Sequence, residues 1–283
     1  MNEKTAILTD STCDLSSELL AELPIKVLPL KVIYSDKEYQ DRVDIAPEDI
    51  YEQFETEIPT TSMPSPEEVK QALLKLKDEG YSNIIAIHIS SGLSGTYNTV
   101  QMVSKQIDDL NTTVIDSKSL SMGLGRLVLY ASDLIAAGLP FSELVSKVKA
   151  KVDSIETFFV VKTLKYLKEG GRIGKVRGTI GELLNIKPII SINEDGEYYT
   201  YDKTRGRKRS INKLYNIAKT KIKESFDKVK VDVMHSGSIE EAENLINKFK
   251  SLSNVTDAVL GQLGPAMIVH AGPGLIGVAI TPE

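Results

Sequence analysis

The sequence predicts an α/β protein of two domains. Residues 1–155 form an N-terminal α/β domain with a mostly parallel sheet and helices on both faces, and residues 156–283 form a C-terminal α+β sheet domain. Three observations predict this. In the first half, β-branched runs of strand length alternate with amphipathic helical stretches, and that alternation favours parallel strands joined by crossovers over both faces. In the second half, KPIISI (187–192) and YYTYDK (198–203) flank NEDG (193–196), a turn that makes an antiparallel hairpin. Between the halves, the amphipathic stretch 142–152 ends just before the boundary.

TAILTD (5–10), NIIAIHIS (83–90) and TTVID (112–116) are the strands of the first half. The helix from Pro66 to Glu79 places Val69, Ala72, Leu73 and Leu76 on one face; Ser65 caps it, Pro66 takes the first helical position, Glu68 completes a capping box and Gly80 stops it. A second helix spans Gly95 to Ile107 with Val100, Val103 and Ile107 inward, and a third spans Ser121 to Ala137 with Gly138 as its stop. In the second half TFFVVK (157–162), VKVDVMHS (229–236) and VTDAVLGQ (255–262) join the hairpin strands. Helices are expected at 207–223 and 239–252, the latter with Ser238 and Glu241 at capping-box spacing.

Composition narrows the function. The chain has 283 residues, 41% hydrophobic and 26% charged, an ordinary globular balance. It has no apolar run long enough to span a membrane, and MNEKTAILTD is too polar for a secretory signal. The lone Cys13 forms no intrachain disulfide, and with His88, His235 and His270 scattered it builds no zinc site; a reducing cytoplasm is the natural location. A net charge of −5 argues against a general nucleic-acid binder.

Four polar segments fall just past strand ends or at helix starts, where α/β proteins bind ligands. They are DSTCD (10–14), TTSMPS (60–65), SSGLSGTYN (90–98) and IDSKSLSMGLG (115–125). The third follows a strong strand and opens a helix, so its backbone N–H groups and helix dipole favour an anion. Ser94 equally suits a plain N-cap, with the glycines only making the turn. In GPAMIVHAGPG (264–274), His270 is a candidate carboxylate partner or a hydrogen-bonded structural residue. His88 and His235 read as structural.

Other chemistries lack their residues. GGRIGKVRG (170–178) is no phosphate loop, since Glu169 stands five before Gly174 and Val176 follows Lys175. Its Arg172, Lys175 and Arg177 suit a phosphate, a partner or simply solvent. GLGRLV (123–128) lacks the third glycine of a dinucleotide fingerprint, and neither a nucleophile elbow nor H-E-x-x-H occurs. Asp10 and Asp14 have no evident third metal ligand, and Asp10 reads as an organiser of the strand-end loops. A hydroxyl-rich, carboxylate-poor site points to holding an oxyanion rather than breaking a bond.

Taken together, TDSTCDL, TTSMPSPEE, ISSGLSGTYNT, IDSKSLSMGLG, LKEGGRIGK, TRGRKRS and VHAGPGLIGV, in this order across almost the whole chain, resemble the DegV family. Met63 departs from the pattern, where relatives often carry Gln. The resemblance implies two α/β domains with a long-chain fatty acid buried between them as ligand, and no cofactor or metal. It further implies the fatty-acid-binding subunit of a bacterial fatty acid kinase, with a separate ATP-binding kinase subunit as partner and acyl-phosphate feeding phospholipid synthesis. No nucleic acid is implied, and no membrane contact beyond a transient one. By the family motifs, Thr61 and Ser94 are the hydroxyl donors to the carboxylate and His270 its imidazole partner, with Ser62, Gly95 and Ser91 as second choices. Arg172 would support carboxylate or phosphate, and Arg205 and Lys208 would dock the kinase. No residue of the chain is expected to be catalytic by itself. The rival readings are a stand-alone phosphotransferase or hydrolase using His270, and a fatty-acid-responsive regulator.

Overall fold

The computed structural model describes residues 4–179, 185–225 and 227–283. In chain order the elements of the first half are β1 (Thr5–Asp10), α1 (Ser17–Glu22), β2 (Ile25–Leu28), β3 (Lys31–Ile33), β4 (Glu38–Gln40), α2 (Pro47–Gln53), β5 (Thr60–Ser62), α3 (Pro66–Asp78), β6 (Asn83–His88), α4 (Thr96–Ser104), β7 (Asn111–Asp116), α5 (Met122–Ala136) and α6 (Phe141–Val152). Those of the second are β8 (Glu156–Val160), α7 (Lys165–Glu169), β9 (Ile186–Ile192), β10 (Tyr198–Arg205), α8 (Arg207–Ser225), β11 (Val229–His235), α9 (Ile239–Lys250), β12 (Val255–Gln262), α10 (Pro265–Ala271) and β13 (Ile276–Pro282).

The first half carries a four-stranded parallel sheet in the order β2-β1-β6-β7, as the strand–helix alternation predicts. A six-stranded sheet in the order β10-β9-β8-β13-β11-β12 occupies the second. Its pairings are antiparallel except β11 with β12, and NEDG forms the expected β9–β10 hairpin. A small antiparallel sheet, β4-β3-β5, was not legible in the sequence. Its strands are three residues each, too short to show a period.

Local chemistry explains most boundaries. The Ser65 hydroxyl accepts from the Glu68 amide and the Glu68 carboxylate accepts from the Ser65 amide, so the expected capping box starts α3. Val69, Ala72, Leu73 and Leu76 are buried as predicted, and Gly80 leaves the helix at φ +86°. The second predicted helix is shorter than expected: α4 ends at Ser104, and Ile107 reaches the core from the following turn. The capping box expected at Ser238 and Glu241 does not form. Ser238 makes no side-chain cap, and the Glu241 carboxylate is held instead by Arg207, with Nη2 to Oε2 at 2.6 Å.

The two large sheets are apolar on both faces, and three cores result. Ala6, Leu8, Ile84 and Ala86 pack under α3 and α4 on the outer side of the parallel sheet. Phe158, Val160, Val231, Val233 and Val278 pack under α8 and α9 on the outer side of the mixed sheet. The alternate residues, such as Ile7, Ile85, Phe159, Met234 and Ala279, turn toward one another with α5 and α10 in a central core drawn from both halves. Buried polar ties cross this layer. The Arg126 guanidinium of α5 is bidentate on Asp232 of β11, both bonds at 2.8 Å, and reaches Asp257 at 2.9 Å. Asp14 accepts from Arg42, Ser121 and the Gly264 amide.

Candidate functional site

The central layer is not fully packed. A cavity lies between the two large sheets, and its empty space, open solvent at the mouth included, is about 910 Å³. Its walls are mostly apolar: Leu120, Phe159, Leu167, Met234, Leu263 and Met267 all line it and all are buried. Its polar end carries Thr61, Ser62, Ser94, Arg172 and His270, all only partly buried, and Thr12, Ser121 and Thr157 also line the cavity.

Part of each of the four polar segments reaches this cavity. DSTCD contributes Thr12, TTSMPS contributes Thr61 to Met63, SSGLSGTYN contributes Leu93 and Ser94, and IDSKSLSMGLG contributes Leu120 to Gly123. Three of the segments converge because they follow β1, β6 and β7, and the carboxyl ends of parallel strands open onto one edge of the sheet; TTSMPS arrives from β5 of the small antiparallel sheet. Asp10 organises that edge: its carboxylate accepts from the Thr12 amide, the Ile89 amide at 3.0 Å and His88 Nδ1 at 3.0 Å. His88 is thus a fully buried structural histidine.

At the polar end, Thr61 on β5 and His270 at the last turn of α10 meet, with Thr61 Oγ1 2.7 Å from His270 Nε2. The other ring nitrogen, Nδ1, is buried without a hydrogen-bond partner among the described residues and faces Gly170. Burial, reinforced by the nearby positive charge of Arg172, pushes the imidazole down to about 4, so it is neutral at physiological pH. Arg172 itself is anchored by carbonyls, with Nη1 donating to Gly170 at 2.8 Å and Nε to Leu93 at 3.3 Å. Ser94 precedes α4 and its hydroxyl lies 2.9 Å from Thr96 Oγ1 and accepts from the Thr96 amide at 3.3 Å, so it is both a helix-start residue and a cavity residue.

Two of the second-choice residues are placed elsewhere. The Ser91 hydroxyl donates to Asp116 Oδ2 at 2.5 Å and its amide to Asp116 Oδ1, which turns it away from the cavity. Gly95 is the exposed N-cap of α4 and does not line the cavity; a Cβ built on it would fall 2.7 Å from Met63 Sδ. Ser62 does line the cavity. Arg205 and Lys208 are exposed where β10 turns into α8, do not line the cavity and have no ion pair among the described residues. Lys175 is paired with Asp195 and Glu197, and the Arg177 side chain lies outside the described residues.

Several cavity residues escaped sequence reasoning. Tyr198 and Leu167 come from a hairpin and a five-residue helix with no chemical signature of their own. Gly170, which faces His270 without lining the cavity, was legible only as part of a basic turn. Gly277, an isolated glycine inside an apolar strand, did carry a signal, since such glycines mark close approach of another group. Among the described residues no helix is long and apolar enough to cross a membrane.

Comparison with known proteins fits this architecture. Residues 4–283 match a family model described as uncharacterised protein, DegV family. A DegV domain-containing protein of Clostridium acetobutylicum is 45% identical over 282 residues, covering 99% of this chain and 100% of the relative. Among solved structures, one described as fatty acid binding of a DegV family protein, from Thermus thermophilus, superposes with a TM-score of 0.93 at 28% identity, over 99% of this chain and 100% of that one. A stearic-acid-binding protein of Eubacterium ventriosum superposes with a TM-score of 0.91 at 29% identity, over 98% of each chain.

Proposed function

The chain belongs to the DegV family, and on that premise we propose that it holds a long-chain fatty acid between its two sheets and presents the carboxylate to a separate kinase subunit. The kinase supplies ATP and makes the acyl-phosphate, so the chain is a carrier subunit rather than an enzyme on its own. Residues 1–155 and 156–283 act as two domains that meet on the ligand, in the cytoplasm where kinase and ATP are found.

The observation that carries this reading is the polarity of the cavity, mostly apolar in its walls and hydroxyl-, imidazole- and guanidinium-bearing at its rim. Each methylene taken out of water contributes about 0.8 kcal/mol, so the apolar part supplies affinity. A carboxylate cannot follow without hydrogen bonds, and the rim provides them. A neutral His270 carries one N–H. On Nε2 that proton meets Thr61 Oγ1, and only a lone pair is left at the unpartnered Nδ1. Placed on Nδ1, it would leave a buried donor unpaired, the costlier arrangement. With Nε2 donating, the Thr61 hydroxyl is free to donate to the carboxylate, beside Ser94. Arg172 adds the positive charge that offsets the carboxylate and the acyl-phosphate as it forms.

Exposed Arg205 and Lys208 suit an acidic surface of the kinase. Native mass spectrometry of the purified protein tests the carrier reading. An adduct of fatty-acid mass is expected; an apo mass unchanged on adding oleate or palmitate would refute it.

A further inference from the structure

The floor of the cavity is β13, and its two faces differ in size. Ile276, Val278 and Ile280 point into the outer core under α8. Gly277 and Ala279 point into the cavity. In register, Gly277 sits between Phe159 of β8 and Met234 of β11, and Ala279 sits between Thr157 and Asp232. Side chains directly opposite on one face of a sheet are close neighbours. At Gly277 a phenylalanine and a methionine flank a residue with no side chain, and at Ala279 the flanks are the smaller Thr157 and Asp232, so the cavity floor is low along this stretch of β13.

Neither backbone nor packing demands a glycine at 277. Its φ is not among the positive ones. A Cβ there would meet Leu275 Cδ2 at 3.5 Å, Phe159 Cβ at 3.6 Å and the Phe158 carbonyl oxygen at 3.8 Å, all ordinary contacts. Glycine inside a strand is a cost to stability, so its use here reflects what lies above it. The low stretch begins beside Leu275, five residues after His270, and runs to a tight wall. At that wall a Cβ on Gly123 would fall 2.1 Å from Ser119 Oγ and 2.8 Å from Thr157 Oγ1.

Resting on the fatty-acid reading above, we propose that Gly277 and Ala279 form the track of the acyl chain and set the longest chain the cavity accepts. Carbon atoms near the carboxylate pass Gly277 first and the chain's far end reaches Ala279, about 7 Å further along the strand. Side chains added at the two positions should therefore truncate the accepted chain by different amounts.

The test offers wild type, Ala279→Leu and Gly277→Leu the same equimolar series of saturated fatty acids, about 8 to 18 carbons long, and reads the bound species by native mass spectrometry; a methylene that does not fit discriminates about 10- to 200-fold. The expected result is a graded shift, with Ala279→Leu favouring shorter acids than wild type and Gly277→Leu shorter still. Gly277→Ala and Ala279→Val carry the same test should a leucine variant fail to fold, with smaller shifts in the same order. Folded variants with the wild-type length profile overturn the proposal. Wild type that binds no acid of any length overturns the fatty-acid reading itself, a result distinct from an unshifted profile.

Discussion

A Cβ on Gly170 would lie 2.2 Å from Nδ1 of His270. The first glycine of GGRI therefore has no side chain because an imidazole occupies the place where one would begin. Gly170→Ala is expected to push the ring off Thr61 while leaving the fold intact, because Gly170 has ordinary helical backbone angles. The check is fatty-acid retention by native mass spectrometry beside a thermal melt: retention should fall and the melt should stay cooperative. Unchanged retention with His270 in place would contradict the packing argument.

Thr61→Val and Ser94→Ala each remove one hydroxyl from the polar end of the cavity. Each is expected to weaken carboxylate presentation by about 1–3 kcal/mol, the cost of leaving a buried group unpaired. Acyl-phosphate formation with the kinase and ATP measures this directly. Wild-type turnover by both variants would remove these residues from the site.

The His270 imidazole should stay neutral far below the range usual for histidine. Burial and Arg172 hold it near 4 against an ordinary 6.5. The unfolded chain therefore takes up this proton before the native one does. The sign follows: His270 lowers native stability progressively as pH falls from 6.5 toward 4, and leaves it unaffected above 6.5. Ring ¹⁵N shifts followed from pH 8 to pH 4, with His270→Gln to assign the signal, are expected to show no titration between pH 7 and pH 5. A midpoint near 6.5 would count against the buried, arginine-facing environment.

Arg126→Met should be among the most damaging single changes outside the cavity-lining residues. It leaves Asp232, wholly buried, without its bidentate partner. Breaking a buried pair by removing one member costs about 3–5 kcal/mol. Replacing both, Arg126→Met with Asp232→Leu, should recover much of that loss. Chemical denaturation of the single and double variants reads the difference; an equally unstable double variant would mean the loss is one of packing, not of an orphaned charge.

Reversing Arg205 and Lys208 to Glu should slow association with the kinase and flatten its salt dependence while fatty-acid retention stays normal, since exposed charge acts mainly on encounter rates. Kinase affinity at low and moderate salt decides this. Binding equal to wild type at both salts would move the docking surface elsewhere.

The sequence exposed the parts of the fold that rest on local chemistry. Ser65, Pro66 and Glu68 announce α3, and the NEDG turn announces the β9–β10 hairpin. Its four polar segments also turned out to be neighbours at one cavity. What it hid depends on distant partners. Glu241 has the spacing of a capping residue, but Arg207, thirty-four positions away, takes its carboxylate. Ser91 and Ser94 look alike in SSGLS, and only the folded Asp116 separates them by claiming the first. β13 went unread because it follows directly on the Gly-Pro-Gly turn after His270 and carries a glycine inside its apolar run, the same residue that lowers the cavity floor.

The central core is drawn from both large sheets and holds the cavity within it. An apolar void inside a core weakens the fold in proportion to its size, and whatever fills it restores those contacts. A bound acyl chain then counts as a missing piece of the interior as well as a passenger, and the native population rises with ligand concentration. Starved of acyl chains, cells would carry more of this protein in its looser, protease-sensitive form, so its abundance would follow lipid supply without any dedicated sensor.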